Sequence, residues 1–411
     1  KQKKVGNEEL ENWILRLLSP RINFKIYEFD YQNQPIVLFE IPRADHCPVS
    51  FRGTEYIRVG SYKKKLKDYI EKERELWSLF SYQSFEKKIV FQNISADEVL
   101  AKINYPAYFD LTEQNLPDNR NGILQRLEQE KFININSDSS YDITNFGAIL
   151  FAKRLSDFDE LKRKAIRVII YHNNNRIHTQ REQVFDKGYA ISYEEIIQFI
   201  NNQLPQNEQI GKALRKNTTM YPPIAIRELV ANAMIHQDFN MTGVSSTVEI
   251  FSDRIEIRNP GEPLVDTMRF IDIPPQSRNE DLASFMRRIN ICEERGTGID
   301  KVIDSVEFFQ LPAPEFNVTG QHTEAILFAY KELKEMDKAD RIRACYQHAC
   351  LRFVCREQMT NESLRKRFAI KDKNYSIASR IISDTMQEEL IKPYVPDNKS
   401  KKHAKYVPFW A

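Results

Sequence analysis

Three polar residues stand at helical spacing in an otherwise apolar stretch. In YPPIAIRELVANAMIHQDF, which begins at Tyr221, Glu228, Asn232 and His236 recur at every fourth position, so on an α-helix they form one stripe. Ile224, Leu229, Val230, Ala233 and Met234 occupy much of the remaining surface. A carboxylate, an amide and an imidazole in line need a common partner; the plain alternative is a solvated helix edge. Their company argues for a site, because Asn259-Pro260-Gly261, Arg278-Asn279 and Glu294-Arg295-Gly296-Thr297-Gly298-Ile299 follow. Glycine is scarce, 12 in 411 residues, yet Gly243, Gly261, Gly296, Gly298 and Gly320 all fall between 240 and 320. Backbone freedom or close approach to a ligand is therefore concentrated in that region.

Two other constellations point away from chemistry. Cys345, His348, Cys350 and Cys355 are zinc ligands by type, but no C-x-x-C pair occurs among them and they fall on an amphipathic helix read over Arg341–Val354. Buried thiols are the expectation there. The glycine turn at 296–298 lacks the G-x-x-x-x-G-K-[ST] pattern, and no other stretch supplies it, so no helicase motor of the P-loop kind is encoded.

The elements that must hold these residues are legible in the pattern. Prolines at 222 and 223 open the helix carrying the stripe. TVEIFSDRIEIRNPGEPL alternates as two strands joined at Ser252-Asp253, a long irregular stretch leads to the glycine pair, a helix follows over Ile299–Ser305, and HTEAILFAYKEL closes with another strand. Upstream, RKAIRVIIYHNN reads as a buried strand and ISYEEIIQFINNQL as an amphipathic helix; Ala96–Ile103 and Asn121–Glu130 read as helices, and SSYDITNFGAILFAKR as a short strand and a capped helix. Near the start, a helix over Glu8–Leu18 precedes β-rich runs FKIYEFDY, PIVLFEIP and EYIRVGS, and a charged helix is expected over Tyr62–Phe80.

The ordered set IRELVANAMIHQDF, RIEIRNPGEPL, SRNEDLA, ERGTGIDKVI and LPAPEF over Tyr221–Phe328 resembles the ATP-binding fold shared by gyrase, Hsp90, histidine kinases and MutL, in the variant found in Schlafen-related regulators often labelled RecG-related helicases. The resemblance implies ATP and Mg²⁺ as cofactors. It makes Asn232 the ligand of the Mg²⁺ that bridges the phosphates, Glu228 the residue that orients or deprotonates the attacking water, and Gly296-Thr297-Gly298 the turn whose backbone N–H groups receive phosphate oxygens at a helix start. His236, Asn259, Gly261 and Arg278 complete the implied nucleotide-binding set. There are departures. Asn259 stands where the wider superfamily has an adenine-reading Asp, Glu262 where a Gly is expected, and His236-Gln237-Asp238 replaces His-Arg-Asp. Binding is therefore better supported than turnover, and any ATPase activity is expected to be weak.

At the N-terminal end, IVLFEIPRADHCPVSFRGTEYIRVGS is similar to the C-terminal half of the Schlafen-type, Alba-like DNA-binding domain, with Arg52, Tyr56, Arg58 and Ser61 as contacts by chemistry. The Schlafen nuclease carboxylates have no counterpart in this chain. At the other end, REQMTNESLRKRFAIKDKNYSIASRIISDTMQEELIKPYV has a helix-turn-helix rhythm: Thr360 caps a first helix, the turn falls at Ile370–Asp372, and Ile377, Ile381 and Met386 are expected to face inward from the second. With the basic hairpin in PYVPDNKSKKHAKYVPF it resembles a winged helix. Lys373, Asn374, Tyr375, Ser376, Ser379 and Arg380 would meet DNA at the recognition helix, and Lys399, Lys401, Lys402 and Lys405 would meet phosphates; protein contact is the alternative use.

Charge agrees with this placement. The chain carries 60 Lys and Arg against 58 Asp and Glu, but from Met336 to Ala411 the counts are 16 against 9, a basic end of the kind that phosphate contacts require. Hydrophobic residues make up 41% and charged residues 29%, which excludes a disordered or collagenous chain. No apolar run suggests a membrane span and KQKKVGNEELENW has neither an apolar h-region nor a small-residue cleavage site, so a cytoplasmic protein is expected. Five cysteines in a long chain suit reduced thiols, and Lys1 in first position suggests a start partway into a longer protein.

The fold class expected is α+β multidomain: a Schlafen/Alba-like α+β fragment at 1–85, a mixed connecting region at 86–215, a GHKL (Bergerat-type) α/β sandwich at 216–333 and a winged helix at 336–411. The function expected is a regulator that binds ATP and DNA, in which nucleotide orders the loop from Glu262 to Arg295 as a lid and so modulates DNA binding. A nucleotide-regulated Schlafen-like nuclease and a non-hydrolysing DNA-associated scaffold are the alternatives; no motif decides whether it is a homo-oligomer.

Overall fold

The computed structural model describes the chain except residues 1–3, 6–7, 23, 32–33, 43, 45–46, 81–83, 205, 211–214, 275, 293–295 and 396–403, and except the side chains of 78–80, 206–210 and 215–219. It divides into two units, Lys1–Ser84 and Phe85–Ala411. Among the described residues, no helix is long and apolar enough to cross a membrane.

In the first unit, helix α1 (Leu10–Leu17) precedes a hairpin of strands β1 (Lys25–Tyr31) and β2 (Gln34–Glu40), which among the described residues pair only with each other. A separate four-stranded sheet contains β3 (Thr54–Val59) and β4 (Tyr62–Lys65). The helix expected over Tyr62–Phe80 is thus shorter: α2 spans Ile70–Phe80, and its expected first turn is strand. Gly60, at φ +59°, reverses the chain so that Tyr62 pairs with Val59, a left-handed position where glycine carries no penalty. The lysine run then alternates across a strand instead of winding round a helix.

The second unit is built on a mixed six-stranded sheet. Its strands are β5 (Ile166–Tyr171), β6 (Thr179–Phe185), β7 (Thr247–Ile250), β8 (Arg254–Pro260), β9 (Glu315–Thr319) and β10 (His322–Phe328), in the order β6-β5-β7-β8-β10-β9. Only the β5–β7 pair is parallel. On β8 the alternation is plain: Ile255 and Ile257 enter the main core, while Arg254, Glu256 and Arg258 point to the other face, where Arg254 pairs with Glu256 and Arg258 with Glu324 of β10. The core face is covered by helices α3 (Tyr189–Gln203), α4 (Pro223–Ile235), α5 (Glu280–Arg288) and α6 (Gly298–Phe308). α5 lies within what the sequence reads as a long irregular stretch. Its hydrophobic residues Leu282, Ala283, Phe285 and Met286 are all buried, and the buried Glu86 carboxylate accepts the N–H of Leu282 at its first turn. That anchor is 196 residues distant in sequence, and local periodicity does not reveal it.

From Met336 a second core forms around helix α7 (Lys338–Val354), strand β11 (Met359–Thr360), helices α8 (Asn361–Arg367) and α9 (Tyr375–Gln387), and strands β12 (Ile391–Pro393) and β13 (Lys405–Pro408). Thr360 caps α8 in a capping box with Ser363. Ile381 is buried and Met386 packs on this core, but Ile377 is 41% exposed. The inward stripe of α9 is Ala378, Ile381, Ile382 and Thr385, and position 377 falls one residue off its 3.6-residue period. Ile271, Ile303 and Ala313 from the sheet segment belong to the same core.

Candidate nucleotide-binding cleft

α4 starts where Pro222 and Pro223 set the backbone, and its buried side, including Ala225, Ile226, Leu229 and Val230, holds it on the sheet. That seating turns Glu228, Asn232 and the C-capping His236 into one cleft of about 220 Å³. Asn259 from the end of β8, Arg278 before α5, and Gly296 and Gly298 before and at the start of α6 line the same cleft. Leu229, Ile257, Ile299, Phe316 and Ala325 give it apolar walls, so it combines apolar surface with a few polar groups, the usual make-up of a small-molecule site.

Burial raises the Glu228 carboxyl above its ordinary range, with Lys301 and Arg227 acting against the shift. The carboxylate meets the beginning of α6 directly, since a Cβ on Gly298 would lie 2.6 Å from Glu228 Oε2. Only glycine admits that approach. Gly296 takes φ +71°, which lets the chain turn sharply into α6. His236 is pushed down to about 4, first by burial and then by the Arg278 guanidinium, and is a neutral hydrogen-bonding group at neutral pH. Arg278 is held across the strand end: one terminal nitrogen donates to the carbonyl of Glu262, and another lies 3.9 Å from Asp238 Oδ2. Asn259 is buried, and its Nδ2 donates to the Pro260 carbonyl at 3.2 Å, which leaves Oδ1 as an acceptor.

Other members of the expected set lie close by in different roles. Gly261, at φ +104°, is not in the lining; a Cβ there would lie 3.0 Å from Asp238 Cβ and 3.1 Å from its backbone N. It lets the 236–238 loop close on the strand end, where Asp238 N donates to the Pro260 carbonyl at 2.7 Å. Thr297 lines an adjoining cleft with Asp300 and Trp410. Gln237 is fully buried and donates to Tyr189 Oη and the Met234 carbonyl, so this departure from His-Arg-Asp serves the core. Glu294 and Arg295 lie outside the described residues.

Sequence reading missed Arg287, Thr323, Cys292 and Phe270, which also line the cleft. Thr323 is brought in as the cross-strand partner of Asn259, a register that the strand pattern alone does not give. Arg287 had no signal, because it depends on α5. Asn279 is buried, and its Nδ2 donates to the carbonyls of Ile235 and Gln237 at 2.7 and 2.9 Å, closing the end of α4.

At the basic end, Lys373, Asn374, Tyr375, Ser376, Ser379 and Arg380 are all exposed around the start of α9. The Nδ2 of Asn361 ties the Tyr375 carbonyl and Ser379 Oγ to α8. Lys399, Lys401 and Lys402 lie outside the described residues; Lys405 is on β13. In the first unit Arg52, Tyr56, Arg58 and Ser61 are exposed. Tyr56 and Arg58 share a strand face with their cross-strand partners Lys65 and Lys63, and Lys63 Nζ stands 4.4 Å above the Tyr56 ring. Both lysines were hidden by the helical reading. In α7 His348 bonds Glu307 and Ser363 through its two ring nitrogens, and Cys345 and Cys350 are buried as expected; Cys355, which caps the end of α7, is exposed against that expectation, because the helix and its buried side stop at Val354.

Residues 1–67 match the family model described as "Schlafen, AlbA_2", and residues 243–327 match that described as "Putative ATP-dependent DNA helicase recG C-terminal". The chain is thus similar to Schlafen-type proteins at its N-terminal end and to RecG-related proteins across the strands and the glycine turn. The second match begins downstream of Glu228, Asn232 and His236. No curated protein matches the chain. Among solved structures, the DIP2311 protein from Corynebacterium diphtheriae is 16% identical, with 92% of this chain and 76% of that chain covered and a TM-score of 0.48.

Proposed function

For a chain with a Schlafen AlbA_2 segment and a RecG-type C-terminal segment, we propose a DNA-associated regulator of transcription that binds Mg²⁺-ATP in the cleft beside α4. The observation that carries this reading is the convergence of Glu228, Asn232 and His236 from one helix with Asn259 from a strand end and the glycine turn at the start of α6. The residues suit the ligand. Gly298 keeps clear the space a side chain would fill, and the helix start offers N–H groups to phosphate oxygens. Asn259 Oδ1 can accept from an exocyclic amino group such as adenine's. Magnesium suits a place that offers few protein ligands because it keeps phosphate and water oxygens. Asn232 would be its protein ligand, and the bound ion would neutralise phosphate charge. Glu228, with its carboxyl raised by burial, would hold or take a proton from a water beside the phosphate.

The DNA-facing part of the reading rests on the arrangement of 336–411. Helix, strand, two helices and a strand pair in that order is the succession of a winged helix, with the exposed start of α9 as its recognition surface. The whole would fit a GHKL-type sandwich joined to a winged helix. Calorimetric titration of Mg²⁺-ATP into the wild type and Asn232→Ala tests the cleft. Saturation at ~100 times the dissociation constant should stabilise the wild type by about 2.7 kcal/mol. Equal affinity in the variant would remove Asn232 from the site, and no binding to either would end the reading.

A further inference from the structure

α6 has the glycine turn at one end and a half-buried carboxylate, that of Glu307, at the other. Glu307, near its C-terminal end, places Oε2 2.9 Å from Nδ1 of His348 in α7 and Oε1 3.5 Å from Nε of Arg367 in α8. Arg367 is only 4% exposed, and its Nη2 donates at 2.6 Å to the carbonyl of Leu311, just beyond α6. His348 Nε2 lies 3.0 Å from Ser363 Oγ, which also accepts the Thr360 N–H at 3.0 Å. The network therefore runs from α6 through α7 to the cap of α8.

A buried guanidinium deprived of its countercharge is strongly unfavourable, so α8 is tied to the position of Glu307 and Leu311. Packed side chains surround the contact. Ile303 of α6 and Ala313 share the core of α7, α8 and α9, and α7 bonds the carbonyls of Ala313 and Pro314 through Arg343 and Gln347. α6 has 11 residues, a rod of ~16 Å, with Gly298 against Glu228 in the cleft.

We propose that α6 relays occupancy of the cleft to the α8–α9 pair, with the Glu307–Arg367 contact as its linkage. The inference rests on the nucleotide reading above. Regulation then works in both directions: whatever α8–α9 binds changes nucleotide affinity by the same factor as nucleotide changes its own.

Hydrogen exchange on the full chain, with and without Mg²⁺ and a non-hydrolysable ATP analogue, tests the relay, with calorimetry on the same samples. At saturation, amides in 359–394 should exchange about fivefold or more slowly. The double variant Glu307→Gln/Arg367→Met removes both charges together and leaves no lone buried ion. It should bind the analogue within about twofold of wild type while the change at 359–394 disappears. His348→Gln, with the charge pair intact, should keep the response. Wild type that binds without any change at 359–394 overturns the relay, as does a folded double variant that still transmits it or a His348→Gln chain that loses it. Absence of binding by calorimetry is a separate result, which removes the nucleotide reading and the relay with it.

Discussion

Gly298→Ala separates the packing of the cleft from its proposed chemistry. A Cβ at 298 would stand 2.6 Å from Glu228 Oε2 and 3.5 Å from its Cδ. To reach ordinary contact near 3.4 Å the carboxylate must withdraw by about 0.8 Å. The backbone is no obstacle, because Gly298 is absent from the left-handed positions that include Gly296 and Gly261, and alanine in a helix is favoured over glycine by up to ~1 kcal/mol. The variant should therefore melt no lower than wild type. The displacement falls on the ligand-facing group, where misplacement by ~1 Å can lower turnover by ~100-fold; Mg²⁺-ATP affinity should fall by at least ~10-fold, or about 1.4 kcal/mol. Gly296→Ala gives the opposite signature, since its φ of +71° costs a non-glycine residue ~1–2 kcal/mol of stability. Calorimetric titration with thermal melting on both variants decides the matter. A folded Gly298→Ala chain with wild-type affinity and turnover would refute the claim that Glu228 and the glycine turn serve one ligand.

Other expectations follow from single contacts. Asn279→Ala strands the carbonyls of Ile235 and Gln237 and should lower stability by ~2–3 kcal/mol in urea denaturation; no loss would mean that the end of α4 is closed by other means. The Asp300 carboxyl is raised to about 6 by burial and its Oδ1 has no hydrogen-bond partner among the described residues. It ionises less readily folded than unfolded, so its charge weakens the fold as pH climbs from the ordinary carboxylate range through about 6. Asp300→Asn should accordingly melt higher than wild type at about pH 7.5, with the two converging near pH 4; a gap that persists in acid would argue against the charge. Lys373→Ala and Arg380→Ala should each reduce the salt slope of DNA binding by about one unit if they meet phosphates, and unchanged slopes would move the contact elsewhere.

Legibility varied with the range of the interactions involved. The stripe on α4, the pair β7–β8 and the cap at Thr360 were readable because each is written in residues a few positions apart. α5 was not, since its first turn is anchored by Glu86 and its apolar side has meaning only against a core assembled from distant strands. The lysines at 63 and 65 were misplaced because a charged run has no period of its own, and the turn at Gly60 decides between strand and helix. Ile377 shows the smaller version of the same limit: three apolar residues at roughly helical spacing admit two stripes, and packing against α7 and α8 selects one.

By itself the order of residues determined which groups could act together: an acid, an amide and an imidazole on one helix, glycines where a chain must pass close to something, and a basic end. Those are properties of side-chain type and of the 3.6-residue turn, and they survive without coordinates. Tertiary structure alone decided that Gly298 meets Glu228, that Gln237 turns inward while Asn259 keeps an oxygen for the cleft, and that Arg367 is buried against Glu307. Each depends on distances between segments far apart in the chain, and those distances are set by the shared core, where close packing leaves every element a single position.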